Sequence, residues 1–356
     1  MPHASELGDL IERVGPLDSG AMDRARARQE QLTKPRGALG RLEELAVLIA
    51  GITGSERPKW QRPLVVVFAG DHGVAREGVS AYPSAVTAQM VRGFVRGTAA
   101  VSVLARQVGA RLVVVDVGVA ADLETDLAII RRKVRAGTRS MVEGPALTRA
   151  EALTALRAGA EVVAAEVERG ADLIALGEMG IGNSTAAAAV TAALLGCAPR
   201  DVVGRGTGID DATLARKIAV VERALAVNRP DPADPVGVLA AVGGLEIAAL
   251  GGAILEAAAR RRPVVLDGFI CGAAALAAAR LSPAVRSYLI AGHRSAEAGH
   301  PRVLAALGLE PLLDLGMRLG EGSGAVVALG VVAAALASHD GMATFSEAGV
   351  SERITG

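Results

Sequence analysis

Five short runs rich in β-branched residues recur along the chain: PLVVVFAGDHG, RLVVVDVGV, ADLIALGEMG, RPVVLDGFICG and VRSYLIAGH. Each gives way to glycine or a polar turn and then to a helical pattern. Strands that alternate with helices lie parallel, and near-continuous apolar character is what strands buried on both faces require. The expected fold class is therefore α/β, a mainly parallel sheet with helices on both faces. Between the second and third runs, Leu153, Leu156, Ala160, Val163 and Val167 recur at spacings of three and four. That spacing predicts an amphipathic helix from Thr148 to Arg169, with Thr148 and Glu151 as its capping box.

Ahead of the first run there is no such alternation, only helical patterns around Glu6 to Val14, Ser19 to Leu32 and Gly37 to Gly51. From about Gly322 onward the chain is again helical, then polar. Residues 1–60 with about 322–356 are expected to form a small helical domain, and residues 61–321 a large α/β domain, consistent with a length of 356 residues. The apolar stretch from Gly324 to Ser338 is shorter than the roughly 20 residues of a bilayer-spanning helix and is rich in alanine. It reads as a buried helix. The opening MPHASELGDLIERVG carries acidic residues and lacks an apolar signal core, so no targeting segment is expected.

Lysine plus arginine equal aspartate plus glutamate at 38 each, which gives no global field for nucleic acid or an anionic membrane. Cys197 and Cys271 stand far apart and form no CxxC, which argues against a disulfide framework and a structural zinc site. A reducing compartment, the cytoplasm, fits. Partners must then be found by local chemistry.

In an open parallel sheet, ligands bind beyond the carboxyl ends of the strands, where loop amides and helix N-termini converge. After LVVVFAG come Asp71, His72 and Gly73, a loop with Ser80, Tyr82 and Pro83, then a helix bearing Val86, Gln89 and Met90. One ring, apolar side chains and an amide could form a slot for a flat heteroaromatic molecule. The alternative is an ordinary βα loop with Pro83 in the first helical turn. After ADLIAL, Gly177, Gly180 and Gly182 precede Asn183, Ser184 and Thr185 at a helix start, a phosphate-cradle pattern without the lysine of a Walker loop. Its alternative is tight packing with Asn183 as a plain N-cap.

A second cluster, VGRGTGIDD, sets Gly204, Arg205, Gly206, Thr207 and Gly208 before a helix that holds Lys217. Two glycine-rich helix starts and a lysine would suit a phosphate monoester and its ribose. Asp210 and Asp211 read as complements to the helix dipole rather than a magnesium site. GHRSAEAGH offers His293, Arg294, Ser295, Glu297 and His300. Two histidines without a third ligand argue against a metal, and Ser295 with its neighbouring amides reads as a ligand hydrogen-bonder. LDLGMRLGEGSGA places Arg318 and Glu321 among glycines ahead of the apolar helix. Glu321 there is either a general base with a pKa raised by burial or a solvated residue at a helix N-terminus.

Taken in order, TKPRGALGRLEELA, AGDHGVAREGVSAYP, GEMGIGNSTAAAA, VGRGTG, GGLEIAALGGA, LDGFICGAAAL, HRSAEAGH and LDLGMRLGEGSGA resemble the nicotinate-nucleotide:dimethylbenzimidazole phosphoribosyltransferases of cobalamin lower-ligand synthesis, over about Thr33 to Ser338. The resemblance implies a Rossmann-like large domain, a small domain built from both chain ends and a homodimer. It implies transfer of phosphoribose from nicotinate mononucleotide to 5,6-dimethylbenzimidazole, giving α-ribazole 5′-phosphate and nicotinate. The family's proton acceptor carries onto Glu321, and a second acidic group onto Glu178. Phosphate and ribose contacts carry onto Gly180, Ser184, Gly206, Lys217, Ser295 and Arg318, with Gly182 and Asn183 beside them. The base slot carries onto Ser80, Tyr82, Pro83, Gln89 and Met90, with Val86 and Leu319 beside them.

Nucleophile and leaving group on opposite faces of the sugar imply inversion at the anomeric carbon. The donor is a monophosphate, so no pyrophosphate calls for magnesium, and no metal or cofactor is expected. Two alternatives stay open: the same donor with another acceptor such as adenine, another benzimidazole or a phenol, and a non-catalytic nucleotide sensor.

Overall fold

In the computed structural model, which describes residues 2–351, strand β1 (Pro63–Gly70) is buried along its whole length. It lies between β2 (Arg111–Gly118) and β4 (Leu173–Met179), and beyond them come β3 (Ile130–Arg131), β5 (Val264–Leu266) and β6 (Leu289–Ala291). The sheet order is β3-β2-β1-β4-β5-β6, and every pair is parallel. The order turns back at β1, and Glu178 at the end of β4 stands in register with Phe68 of β1. Crevices for ligands open at such a turning point. The five apolar runs supply β1, β2, β4, β5 and β6. The sixth strand, β3, has only two residues at the sheet edge and carries no apolar run.

Helices cover both faces. Thr148 caps the helix Arg149–Glu168, with its side chain accepting from the Glu151 amide and the Glu151 carboxylate accepting in return. The face this helix buries includes Ala152, Ala155, Gly159 and Val162 as well as Leu156 and Val163. Against it lies the helix Leu245–Ala259. A β carbon on Gly159 would overlap the carbonyl of Ala249, and one on Gly252 the carbonyl of Leu156. The two backbones touch because each presents a glycine.

Of the N-terminal helices, the first runs Pro2–Glu12, starting and ending ahead of the expected Glu6 to Val14, and Ser19–Gln31 follows the expected pattern, capped by Asp18 accepting from the Ala21 amide at 2.8 Å. The third begins later than expected, at Arg41–Thr53, because Gly37 and Gly40 adopt φ of +73° and +49° and form a turn. The final long helix, Ser323–Gly341, runs past the apolar stretch to 19 residues, long and apolar enough to cross a membrane. Half of its most apolar window is buried inside the fold. Its Ala325, Val326 and Leu329 share a core with Leu45 and Ile49 of the third helix and with Val65 and Val67 of β1. The chain ends also meet through an antiparallel bridge between Leu32 and Thr344.

Candidate active site

A cavity of about 740 Å³ opens beyond the carboxyl ends of β4, β5 and β6, lined among others by Glu178, Asp267, Glu297, Glu321 and Arg318. Glycine sets its geometry. A β carbon on Gly177 would collide with the Glu321 carbonyl and lie 2.5 Å from the Gly322 nitrogen, so the Glu321 turn rests directly on β4. Gly320 and Gly322 flank that turn with φ of +84° and +88°, and Glu321 itself has φ of +64°. The Glu178 carboxylate meets this turn at Gly320.

Both carboxyl groups are buried. Burial first, and then the neighbouring charges of Asp267 and Glu246, push Glu178 up to about 8, although Asn183 Nδ2 donates to its Oε2. Glu321 is pushed up to about 7, again mainly by burial, with the Val101 amide pulling the other way and Asp267 adding to the rise. Its Oε2 finds no hydrogen-bond partner among the described residues. Near neutrality Glu178 therefore holds a proton and Glu321 can exchange one.

On the far side two glycine loops close together. The helix Asn183–Leu195 starts from Gly182, in the left-handed region at φ +98°, so Asn183 is not the N-cap and its side chain turns to Glu178 instead. Ser184 Oγ accepts from Lys217 Nζ at 2.9 Å, and Lys217 also donates to the Gly204 carbonyl at 3.1 Å. Lys217 is fully buried beneath the Gly206 turn, and burial, opposed by Glu297, lowers it to about 8. Glu297 Oε1 accepts the Gly206 amide at 2.9 Å, and Arg318 donates to the Gly206 carbonyl at 3.0 Å. Ser295 is fixed by its amide on His300 Nδ1 at 2.8 Å. Asp210 caps the helix Asp211–Asn228 by accepting from Thr213, and Asp211 pairs with Arg205.

A family model described as a phosphoribosyltransferase matches residues 14–350. The nicotinate-nucleotide–dimethylbenzimidazole phosphoribosyltransferase of Desulforudis audaxviator is 59% identical over 346 residues, 97% of this chain and 98% of that one. The protein of the same name from Chloroflexus aggregans is 58% identical over 98% of this chain and 99% of its own. The chain belongs to this phosphoribosyltransferase family. A crystal structure of the Thermus thermophilus member superimposes with a TM-score of 0.90 at 49% identity, covering 95% of this chain and all of that one.

Within this family member the cavity wall includes Glu178, Gly180, Asn183, Ser184, Gly206, Ser295, Arg318, Glu321 and, from the base-slot set, Tyr82, Val86, Met90 and Leu319. Val86 and Met90 sit one turn apart on the helix Ala85–Arg96. Gln89, on the same helix, is exposed and lies outside the wall, as do Ser80 and Pro83. Ser80 Oγ faces Thr207 Oγ1 at 3.4 Å, and Pro83 precedes the helix rather than entering its first turn. Gly182 and Lys217 lie behind the wall.

Sequence reasoning passed over Asp267. It follows β5 directly and lines the cavity, so the same question asked of the other strand ends would have found it. His72 and Glu246 form a second unforeseen feature, a buried pair at 2.5 Å behind Gly180. Burial opposes charge on His72, yet Glu246, together with the neighbouring charge of Asp71, outweighs it and raises its pKa.

Proposed function

We propose that the protein transfers phosphoribose from nicotinate mononucleotide to 5,6-dimethylbenzimidazole with inversion at the anomeric carbon, giving α-ribazole 5′-phosphate and nicotinate. The observation that carries this reading is the buried Glu178 and Glu321 pair at Gly320, with unequal proton affinities, opposite a lysine-backed serine. The departing nicotinate has a cationic ring nitrogen that becomes neutral as the glycosidic bond breaks, so its departure needs no general acid. The incoming benzimidazole is the opposite case. As one nitrogen attacks the sugar carbon, the other must lose a proton, and Glu321 accepts it. Glu178, protonated near neutrality, is a hydrogen-bond donor beside the reacting atoms.

Ser184 accepts from Lys217, which leaves its hydroxyl hydrogen free to donate to a phosphate oxygen. Arg318 and Ser295 complete the anion's surroundings, with Gly180, Gly182, Asn183 and Gly206 shaping the backbone around it. The acceptor ring lies against Tyr82, Val86, Met90 and Leu319, with Ser80, Pro83 and Gln89 in the adjoining loop and helix. Holding both rings in line with the sugar carbon supplies much of the acceleration.

A homodimer belongs to the same reading, supported by Tyr82 and Leu319, apolar side chains 55% and 57% exposed at the cavity. So does a cytoplasmic location, supported by free Cys197 and Cys271. A small domain of residues 1–60 and 322–356 beside a large one of 61–321 is supported by the bridge from Leu32 to Thr344. The test is incubation of the purified protein with both substrates, followed by detection of free nicotinate and of the product's anomeric configuration. An α-nucleotide supports the proposal. A β-product, or transfer only to adenine or a phenol from a panel of acceptors, would replace it, and binding without any transfer would make the protein a sensor.

A further inference from the structure

Among the described residues only Arg229, Arg261 and Glu321 adopt positive φ without being glycine. Arg229 and Arg261 follow helix ends, where the left-handed region is the ordinary way to stop. Glu321 instead precedes a helix, so its conformation needs another cause. The residues that follow it are held by Asp267, 54 positions before Glu321 and on a different strand end. Its Oδ2 accepts the Gly322 amide at 3.1 Å, and its Oδ1 accepts the amides of Gly324 at 2.7 Å and Ala325 at 3.1 Å. His293 Nε2 approaches the same Oδ1 at 3.4 Å. A β carbon on Gly324 would strike the His293 ring, so that glycine keeps the histidine in place.

A neutral asparagine could hold such amides on one side only, because its amide nitrogen donates and cannot accept a backbone N–H. A carboxylate here stands instead beside two other acids, Glu178 and Glu321, and raises the proton affinity of both. The titratable groups facing this cluster are Glu178 from β4, Glu246 from the helix Leu245–Ala259, Cys271 from the helix after β5, and His293 and His300 from the segment after β6. Arg318, although close in sequence to Glu321, donates to Gly206.

We propose that Asp267 is a positioning residue for the transfer, which fixes the left-handed turn at Glu321 through three amides and strengthens Glu321 as a base through its own charge. The catalytic half rests on the reading of Glu321 as proton acceptor, whereas the electrostatic half does not. The test follows the Glu321 carboxyl carbon by NMR in full-length protein labelled at glutamate, the signal being assigned by its loss in Glu321→Gln. In Asp267→Asn the titration midpoint falls by about half a unit or more. The acid limb of kcat falls with it, while KM for nicotinate mononucleotide changes less than about threefold, since no phosphate contact is touched.

An unmoved midpoint in a folded Asp267→Asn protein overturns the proposal. A midpoint that falls without any movement of the acid limb overturns the catalytic half by removing Glu321 from the chemistry, which is the failure of the functional reading itself. Should Asp267→Asn not fold, His293→Leu carries the test: it removes the polar ring beside Asp267 Oδ1 and raises the Glu321 midpoint. A midpoint unchanged or lowered in that variant overturns the proposal equally.

Discussion

The carboxylate of Glu178 occupies the space where a side chain on Gly320 would begin: a β carbon there would lie 2.5 Å from Glu178 Oε1. Glu178 is held from its other side by Asn183. Gly320→Ala therefore displaces a buried acid and also places alanine at φ +84°. The backbone strain alone costs about 1–2 kcal/mol. Turnover is expected to fall at least roughly tenfold through the shifted carboxyl group, and the melting temperature to drop. Steady-state rates and a thermal scan check both, and a variant with native values in each would mean that Glu178 has room to move without consequence.

Much of this arrangement was legible because β1, β2 and β4 are buried on both faces, which forces the apolar runs that mark them. Edge strand β3 was not, since two residues pairing with Val115 and Asp116 leave no pattern. The turn at Gly37 and Gly40 reads as helix because Ala38 and Leu39 between them are good helix formers. The glycine loops stood out because each follows a strand. Asp267 also follows a strand and was open to the same reading, but its role was not, because its partners are amides of a turn more than fifty residues away, and backbone donors leave no mark in a sequence. The same limit hid the burial of Lys217 beneath Gly206, a depth that only tertiary packing supplies.

The crossing of Gly159 with Ala249 separates fold from chemistry. A methyl group at Gly159 would overlap a backbone carbonyl, which cannot swing aside as a side chain can. Gly159→Ala is expected to cost roughly 1–3 kcal/mol or more by overpacking. Because this helix pair lies outside the cavity wall, kcat per folded molecule stays near native. Urea denaturation and an activity assay normalised to folded protein measure the two effects, and unchanged stability would show that the helices can separate cheaply.

Lys217→Met removes a charge that supports Ser184 and Gly204. Loss of a charge-assisted hydrogen bond of this kind is expected to raise KM for nicotinate mononucleotide roughly 10- to 100-fold. Stability behaves differently. The folded pKa of about 8 lies below the ordinary lysine value, so between about pH 8 and 10.4 the unfolded chain binds more protons than the folded one. Native stability therefore climbs with pH across that window, and the methionine variant lacks the climb. Parallel denaturation curves for the two proteins from pH 7.5 to 10.5 would sink this account of Lys217.

Glu321→Gln joins activity and stability through one titration. Its folded pKa of about 7 and that of Glu178 near 8 both exceed the ordinary carboxyl value, so the folded protein holds protons that the unfolded chain releases. The stability these two acids contribute is complete below about pH 4.5 and is lost as pH rises through 7 and 8. Turnover runs the other way: Glu321 accepts a proton only once it has lost its own, so kcat rises through about pH 7 on an acid limb that belongs to this residue. Glutamine cannot titrate. The variant is expected to bind both substrates, lose roughly 10²- to 10⁴-fold in kcat, show no acid limb at pH 7, and gain stability relative to the native protein as pH rises from 5 to about 8. Native turnover in Glu321→Gln across that range would take the carboxyl group out of the proton transfer, whereas lost turnover with an unchanged stability profile would keep it in the chemistry but deny that burial sets its proton affinity.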